Sequence, residues 1–251
     1  MARQKGIIKL KGTIGDITFY KTQDGHLARE KGGVDASRIK NDPAFQRTRE
    51  NGAEFGRAGK AGKILRTAFR SLSMNSADSR VASRLTQQMM KVIKADAVSD
   101  RGLRNVLDGE TELLTGFEFN ALGKLGNSLY APFDSSIDRA AGTLDVNIPS
   151  FSPLAMLAAP NGTTHFKIVS AGAEVDFEAE TYVIGTSATD ILPWNAVDTD
   201  VISQSNGVTP NSTKPLFLVV GVEFYQEVNG TMYPLKNGSY NPLAIVKVSG
   251  M

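Results

Sequence analysis

Four carboxylates occupy every second position of the stretch EVDFEAE: Glu174, Asp176, Glu178 and Glu180. Alternating with Val175, Phe177 and Ala179, they would share one face of an extended strand. Paired carboxylates can hold calcium or work as an acid and a base. The same alternation also describes an outward, solvated strand face, and that is the reading adopted. His165 follows NGTT and opens a strand. A catalytic triad would need a nucleophile beside it and an orienting carboxylate, and no Gly-x-Ser-x-Gly elbow occurs. His26 belongs to a hairpin turn. The string GRAGKAGKIL invites a phosphate-loop reading and fails it. Arg57 stands where the motif needs its first glycine, and Ile64 stands where it needs Ser or Thr. With no cysteine and only two histidines, thiolate zinc sites, cysteine nucleophiles and histidine-rich metal centres are excluded. No catalytic residue, metal ligand, cofactor or small-molecule substrate is assigned, and the chain is read as not an enzyme.

The elements around these residues fall into two styles. KGTIGDITFYKTQDGHLAREKGG, residues 11–33, reads as a cationic β-hairpin turning around Gln23-Asp24-Gly25. Ile7, Ile8, Leu10, Ile14, Ile17, Phe19, Leu27 and Ala28 are its apolar residues. Two strands alone are marginal in water, so this arm must lie on another surface. In KNDPAFQRTREN, Asp42 fits a helix N-cap and Pro43 the first helical position. An apolar and small-residue stripe then runs Phe45, Thr48, Gly52, Phe55, Gly59, Gly62, Leu65, Phe69, Leu72. Gly52, Gly59 and Gly62 on that stripe are expected to admit a close-packed neighbour, offsetting the roughly 1 kcal/mol each costs in a helix. The outer face carries Arg47, Arg49, Arg57, Lys60, Lys63, Arg66 and Arg70. A second helix, about residues 77–97, buries Val81, Leu85, Met89, Val92 and Ile93, with Ser76 as its cap.

From Glu112 the hydrophobic period changes to two. GTLDVNIPSF places Leu144, Val146 and Ile148 on one face. THFKIVSAGAEVDFEAETYVIG reads as a hairpin turning at Ala171-Gly172, with Phe166, Ile168, Val175 and Phe177 inward. A long strand, residues 216–228, returns through Asn229-Gly230, the strongest short hairpin signal. Asn161-Gly162 and Asn237-Gly238 are further turn pairs. The fold class is therefore α+β: an N-terminal β-hairpin arm and helices, then an antiparallel β-sandwich of immunoglobulin or fibronectin type.

Charge divides the chain in the same way. Residues 1–105 hold 22 basic and 10 acidic side chains, a net of +12, and residues 106–251 hold 6 and 16, a net of −10. Two modules are expected, a basic one at 1–108 and an acidic one at 109–251. No stretch is long enough to span a membrane. The N-terminus MARQKGIIKLKG lacks the apolar run of a signal peptide, so synthesis in the cytoplasm is expected, with release into an extracellular or virion assembly open.

The hairpin GTIGDITFYKTQDGHLAREKGG, the helix start NDPAFQRTREN, the central GFEFN and the late PNGTTHFKIV together resemble hypothetical proteins of Bacteroidota genomes and their phages. That resemblance implies a bacterial or phage source and carries no activity. The expected role is a non-catalytic subunit that assembles with copies of itself into a filament, tube or virion component. The expected interface comprises the arm (Ile7, Ile14, Ile17, Phe19), the glycines Gly52, Gly59 and Gly62, the cations Arg57, Lys60 and Lys63, and the carboxylates Glu174, Asp176, Glu178 and Glu180. Nucleic-acid binding by the basic half is the alternative.

Overall fold

A computed structural model describes residues 2–30, 32–76, 78–235 and 240–250. The Asn237-Gly238 pair and residue 77, where the second helix was expected to start, lie outside the described residues. The chain divides into two compact units, residues 1–49 and 50–251.

The first unit is a four-stranded antiparallel sheet and a short helical segment. Strands β1 (Ala2–Arg3), β2 (Gly12–Ile14), β3 (Ile17–Thr22) and β4 (Gly25–Glu30) pair in the order β1-β4-β3-β2. The expected hairpin is its centre: Thr22 pairs with Gly25 across Gln23-Asp24, and Gly25 takes the positive φ that the turn requires. Ile7, Ile8 and Leu10 lie outside the strands, in a loop organised by the Gln4 side chain, which bonds both the N–H and the carbonyl of Leu10. Asp35 caps helix α1 (Ala36–Asn41) through the Ser37 N–H. Asp42 then accepts from the Ala44 N–H with Pro43 at the first position of a 3-10 turn, Pro43–Phe45, as the sequence requires.

The second unit has three layers. Helices α2 (Gln46–Ala68), α3 (Arg70–Ser73) and α4 (Val81–Lys94) precede two short helices, α5 (Leu125–Ser128) and α6 (Pro153–Met156). The strands are β5 (Asp134–Asp138), β6 (Thr143–Ile148), β7 (His165–Asp176), β8 (Thr181–Ala188), β9 (Leu192–Pro193), β10 (Ile202–Gly207), β11 (Leu216–Val228), β12 (Thr231–Pro234) and β13 (Leu243–Ser249). A small antiparallel sheet runs β10-β6-β5. In the larger sheet β11 and β7 are central: β11 pairs on its other edge with β13 and β12, and β7 with β8 and β9.

Burial of β11 on both faces explains its unbroken apolar run, LFLVVGV, residues 216–222. Leu216, Leu218, Val220, Val222 and Phe224 meet Leu144, Val146, Ile148 and Ile202 of the small sheet. Phe217 and Val219, with Val169, Ala171, Ala173 and Val175 of β7, meet α2 and α4 on the opposite face. The helices thus share one core with the sheet. The expected boundary after residue 108 cuts through that core, and the division lies after Arg49 instead. Charge misled the reading because it records surface, whereas a domain is defined by what its apolar faces bury.

Helix α4 buries Val81, Leu85, Met89, Val92 and Ile93 as expected, although it begins after Asp78, whose carboxylate accepts the Arg80 N–H. Ser76 is not its cap. The turn expected at Ala171-Gly172 is absent, since β7 continues straight through it. Gly172 serves packing: a Cβ there would lie 3.0 Å from the Asn206 Cβ and 3.1 Å from the Leu144 Cβ. Phe166 and Ile168 therefore point to the small sheet while Val175 points to the helices. The Asn229-Gly230 turn forms, with φ of 51° and 78°.

Candidate assembly surfaces

The four carboxylates of EVDFEAE do not form one strand face. Glu174 and Asp176 end β7, whereas Glu178 and Glu180 sit in the turn to β8. Asp176 Oδ1 accepts the N–H groups of Glu178 and Ala179, and its Oδ2 meets Lys214 Nζ at 2.7 Å. The Lys214 ammonium, followed by these backbone donors, holds the Asp176 carboxyl below the ordinary range. Glu174 accepts the Thr209 N–H at 3.2 Å, and Glu180 lies 3.7 Å from Lys60. Three of the four are thus engaged within their own chain. The strand pattern missed this because Asp176 begins an Asx turn that ends the alternation.

The expected cations also separate. Arg49 donates to the carbonyls of Ile39 and Asp42 in the first unit. In the second, Arg57 donates to the carbonyls of Arg104 and Gly102 and pins the loop after α4. That loop is organised by buried Asp96, whose carboxylate accepts from Val98, Ser99 and Asn105. Burial alone would raise the Asp96 pKa; the hydrogen bonds from Ser99, Asn105 and Val98 outweigh it and hold the group at about 2. Arg47, Lys60, Lys63 and Arg70 are exposed.

The glycine stripe is offset from the buried face of α2. That face is Glu54, Ala58, Ala61, Gly62, Ile64, Leu65 and Ala68. Of the expected three glycines only Gly62 faces a neighbour: a Cβ there would lie 3.5 Å from the Leu85 Cγ and 3.6 Å from the Thr86 N. A Cβ at Gly52 or Gly59 would point into open space, and Phe55 between them is exposed. Glycine and alanine crowd both sides of this helix, so size alone does not say which side is inside.

Of the expected arm residues, Ile14, Ile17 and Phe19 come together, whereas Ile7 lies in the loop between β1 and β2. The registers Ile14↔Ile17, Gly12↔Phe19, Phe19↔Ala28 and Ala2↔Ala28 put Ile14, Ile17, Phe19, Ala28 and Ala2 on one face of the four-stranded sheet. Lys21, His26 and Glu30 share it. Thr18, Tyr20, Leu27 and Arg29 lie on the other, where the Arg29 guanidinium stands 5.4 Å from the Tyr20 ring centroid. Ile14 and Ile17 are exposed, and not one described residue of 2–49 is buried.

At the chemical candidates, His165 Nδ1 lies 2.9 Å from Thr164 Oγ1, and its Nε2 is 3.9 Å from Glu227 Oε2, too far for a hydrogen bond. Thr164 Oγ1 already accepts the Glu227 N–H at 2.7 Å. The neighbouring Tyr225 donates to Glu223, and burial followed by this carboxylate pushes its phenol up. Among the described residues, no group of three or more His, Cys, Asp or Glu could hold a metal ion. No helix among them is long and apolar enough to cross a membrane.

Sequence reasoning missed the Arg139 guanidinium, which donates to the carbonyls of Ser212, Lys214, Ser249 and Gly250 and ties down the last strand. It also missed an exposed apolar patch at one end of the sandwich. There α6 and the loop before β10 are joined by the bonds Leu154 N–H to Asn195 O and Thr199 N–H to Phe151 O. Leu154, Met156 and Val197 stand exposed on this patch, with Tyr130, whose N–H donates to Met156 O.

No family model matches the chain, and no curated protein matches it. A solved structure from work on pH-induced modulation of Streptococcus parasanguinis adhesion by Fap1 fimbriae is similar over 47% of this chain and 79% of its own, at 10% identity and a TM-score of 0.23. Likeness at that level carries no argument.

Proposed function

We propose that this protein is a non-catalytic structural subunit that assembles with copies of itself through its N-terminal sheet, as part of a bacterial or phage filament, tube or virion. One observation carries the reading: residues 2–49 form four strands with an apolar face, yet none of the described residues there is buried. A unit of this size without a core cannot offset the entropy of ordering its backbone. It gains that stabilisation when another surface covers Ile14, Ile17 and Phe19, and its edge strands offer free backbone groups for pairing. The two-sheet sandwich of residues 50–251, read as immunoglobulin- or fibronectin-like in its layering, supplies the rigid body of the subunit.

The test is sedimentation velocity with negative-stain microscopy across a concentration series. The full chain should grow with concentration, and a chain lacking residues 1–33 should sediment as a monomer with the same unfolding midpoint. Equal assembly by both would overturn the reading. Nucleic-acid binding is supported by the net charge of +6 on residues 1–49. On that reading nuclease would dissolve the assemblies and remove an absorbance excess near the nucleic-acid maximum; self-assembly predicts that neither changes.

A further inference from the structure

We infer that the N-terminal sheet of one copy docks on the acidic, apolar patch formed by α6 and the loop before β10 of a second copy; this rests on the self-assembly reading and names its missing surface. The carboxylates Glu174, Asp176 and Glu180 are poor candidates for that surface, because Thr209, Lys214 and Lys60 of the same chain engage them. Asp190, Asp198 and Asp200 differ: all three are exposed, and none takes part in an ion pair among the described residues. They fall in the longest cation-free run of the acidic half, residues 168–213, which holds seven carboxylates and no Lys or Arg.

Apolar residues are interleaved with these charges. Val197 is 72% exposed and Leu154 53%, so most of the valine and about half of the leucine face water. A groove of about 260 Å³ lined by Asp190, Leu192, Asp200 and Val201 lies beside them. The N-terminal sheet has the complementary character. Ile14 and Ile17 project from a face that carries Lys21 and one carboxylate, Glu30 opposite Ile17, with Asp16 in the turn between Ile14 and Ile17, while Lys9 and Lys11 lie in and beside the adjoining loop, so that cations outnumber carboxylates by three to two around the apolar centre. The charges agree as well, with +6 on residues 1–49 against −4 on residues 50–251. Apolar centres with oppositely charged rims form the usual anatomy of a protein interface. The two surfaces are different parts of one chain, so the contact is head-to-tail and propagates unless its rotation closes a ring.

Two full-length variants test this. The patch variant carries Val197→Lys, Asp198→Lys and Asp200→Lys; the sheet variant carries Ile14→Asp and Ile17→Asp. Each alone should remain monomeric at concentrations where the unmodified chain assembles. Mixed at equal amounts they should form a complex that stops at two chains, because the mixture retains one intact contact. Zero-length carbodiimide coupling of the unmodified chain should link Lys9, Lys11 or Lys21 of one copy to Asp198 or Asp200 of another. All altered residues are exposed, so the main thermal transition should not move. If the sheet variant loses its strands, Lys9→Glu with Lys11→Glu and Lys21→Glu replaces it and tests the charge alone. Assembly of the patch variant like the unmodified chain, or a mixture that stays monomeric, would overturn the patch while leaving self-assembly standing. An unmodified chain that is monomeric at every concentration would remove both readings.

Discussion

Residues 2–49 and residues 50–251 solve the burial problem in opposite ways. The larger unit folds a sheet that is covered twice, by helices on one face and by a second sheet on the other. Its central strand β11 has no solvent face over Leu216–Val222. The smaller unit makes just as regular a sheet, yet none of its described residues is buried. Regular hydrogen bonding therefore does not distinguish them; what differs is the apolar area removed from water, at about 25 cal/mol per Å². Stability should reside almost wholly in residues 50–251, whereas residues 2–49 should contribute to association and little to stability.

The largest effect expected from this contrast is on the core. Phe217→Ala or Leu65→Ala, both at fully buried positions, should lower unfolding free energy by about 3–5 kcal/mol for Phe and about 2–5 kcal/mol for Leu. Phe19→Ala should change the monomer's denaturant midpoint little and weaken assembly instead. A Phe19→Ala cost in the monomer as large as that of Phe217→Ala would erase the distinction.

Next in size are the glycines. Gly172→Val must push against Leu144 and Asn206 on the facing sheet and should cost about 1–3 kcal/mol. Gly59→Ala meets nothing within 4 Å and should stabilise the chain by up to about 1 kcal/mol. Equilibrium unfolding of the two variants reads opposite signs, and a loss at Gly59 would mean that another surface covers it.

Acid titration gives a further, smaller effect. Asp96 is held at about 2, below its usual 3.8, by backbone donors of the loop after α4. A carboxyl with a depressed folded pKa stabilises the fold fully above its unfolded value and loses that contribution as pH falls through the folded one. The contribution should therefore be constant above about pH 5 and fade between about pH 4 and pH 2. Asp96→Asn should flatten that limb of the stability profile; an unchanged limb would mean that the loop opens without cost. The smallest effect belongs to the exposed Lys60–Glu180 pair, where Glu180→Gln should shift stability by less than about 1 kcal/mol.

Much of the local structure was legible in the chain itself. Asp42-Pro43 starts a helical turn, Gln23-Asp24-Gly25 and Asn229-Gly230 turn hairpins, and the α4 stripe is its buried face. These signals depend on the conformations allowed to a few adjacent residues, so sequence alone determines them. Where elements meet was decided by tertiary structure. Gly172 reads as a turn until the facing Leu144 and Asn206 are known, because a glycine needed for close approach looks the same as one needed for a bend. In α2 the small residues lie all round, and only contact with Leu85 and Thr86 selected the side bearing Gly62 over that bearing Gly52 and Gly59. The carboxylate row dissolved for the same reason, since Lys214, Thr209 and Lys60 are far from it in sequence and beside it in space. Local dihedral preference is encoded within a few residues, whereas burial is a property of surfaces brought together from distant parts of the chain.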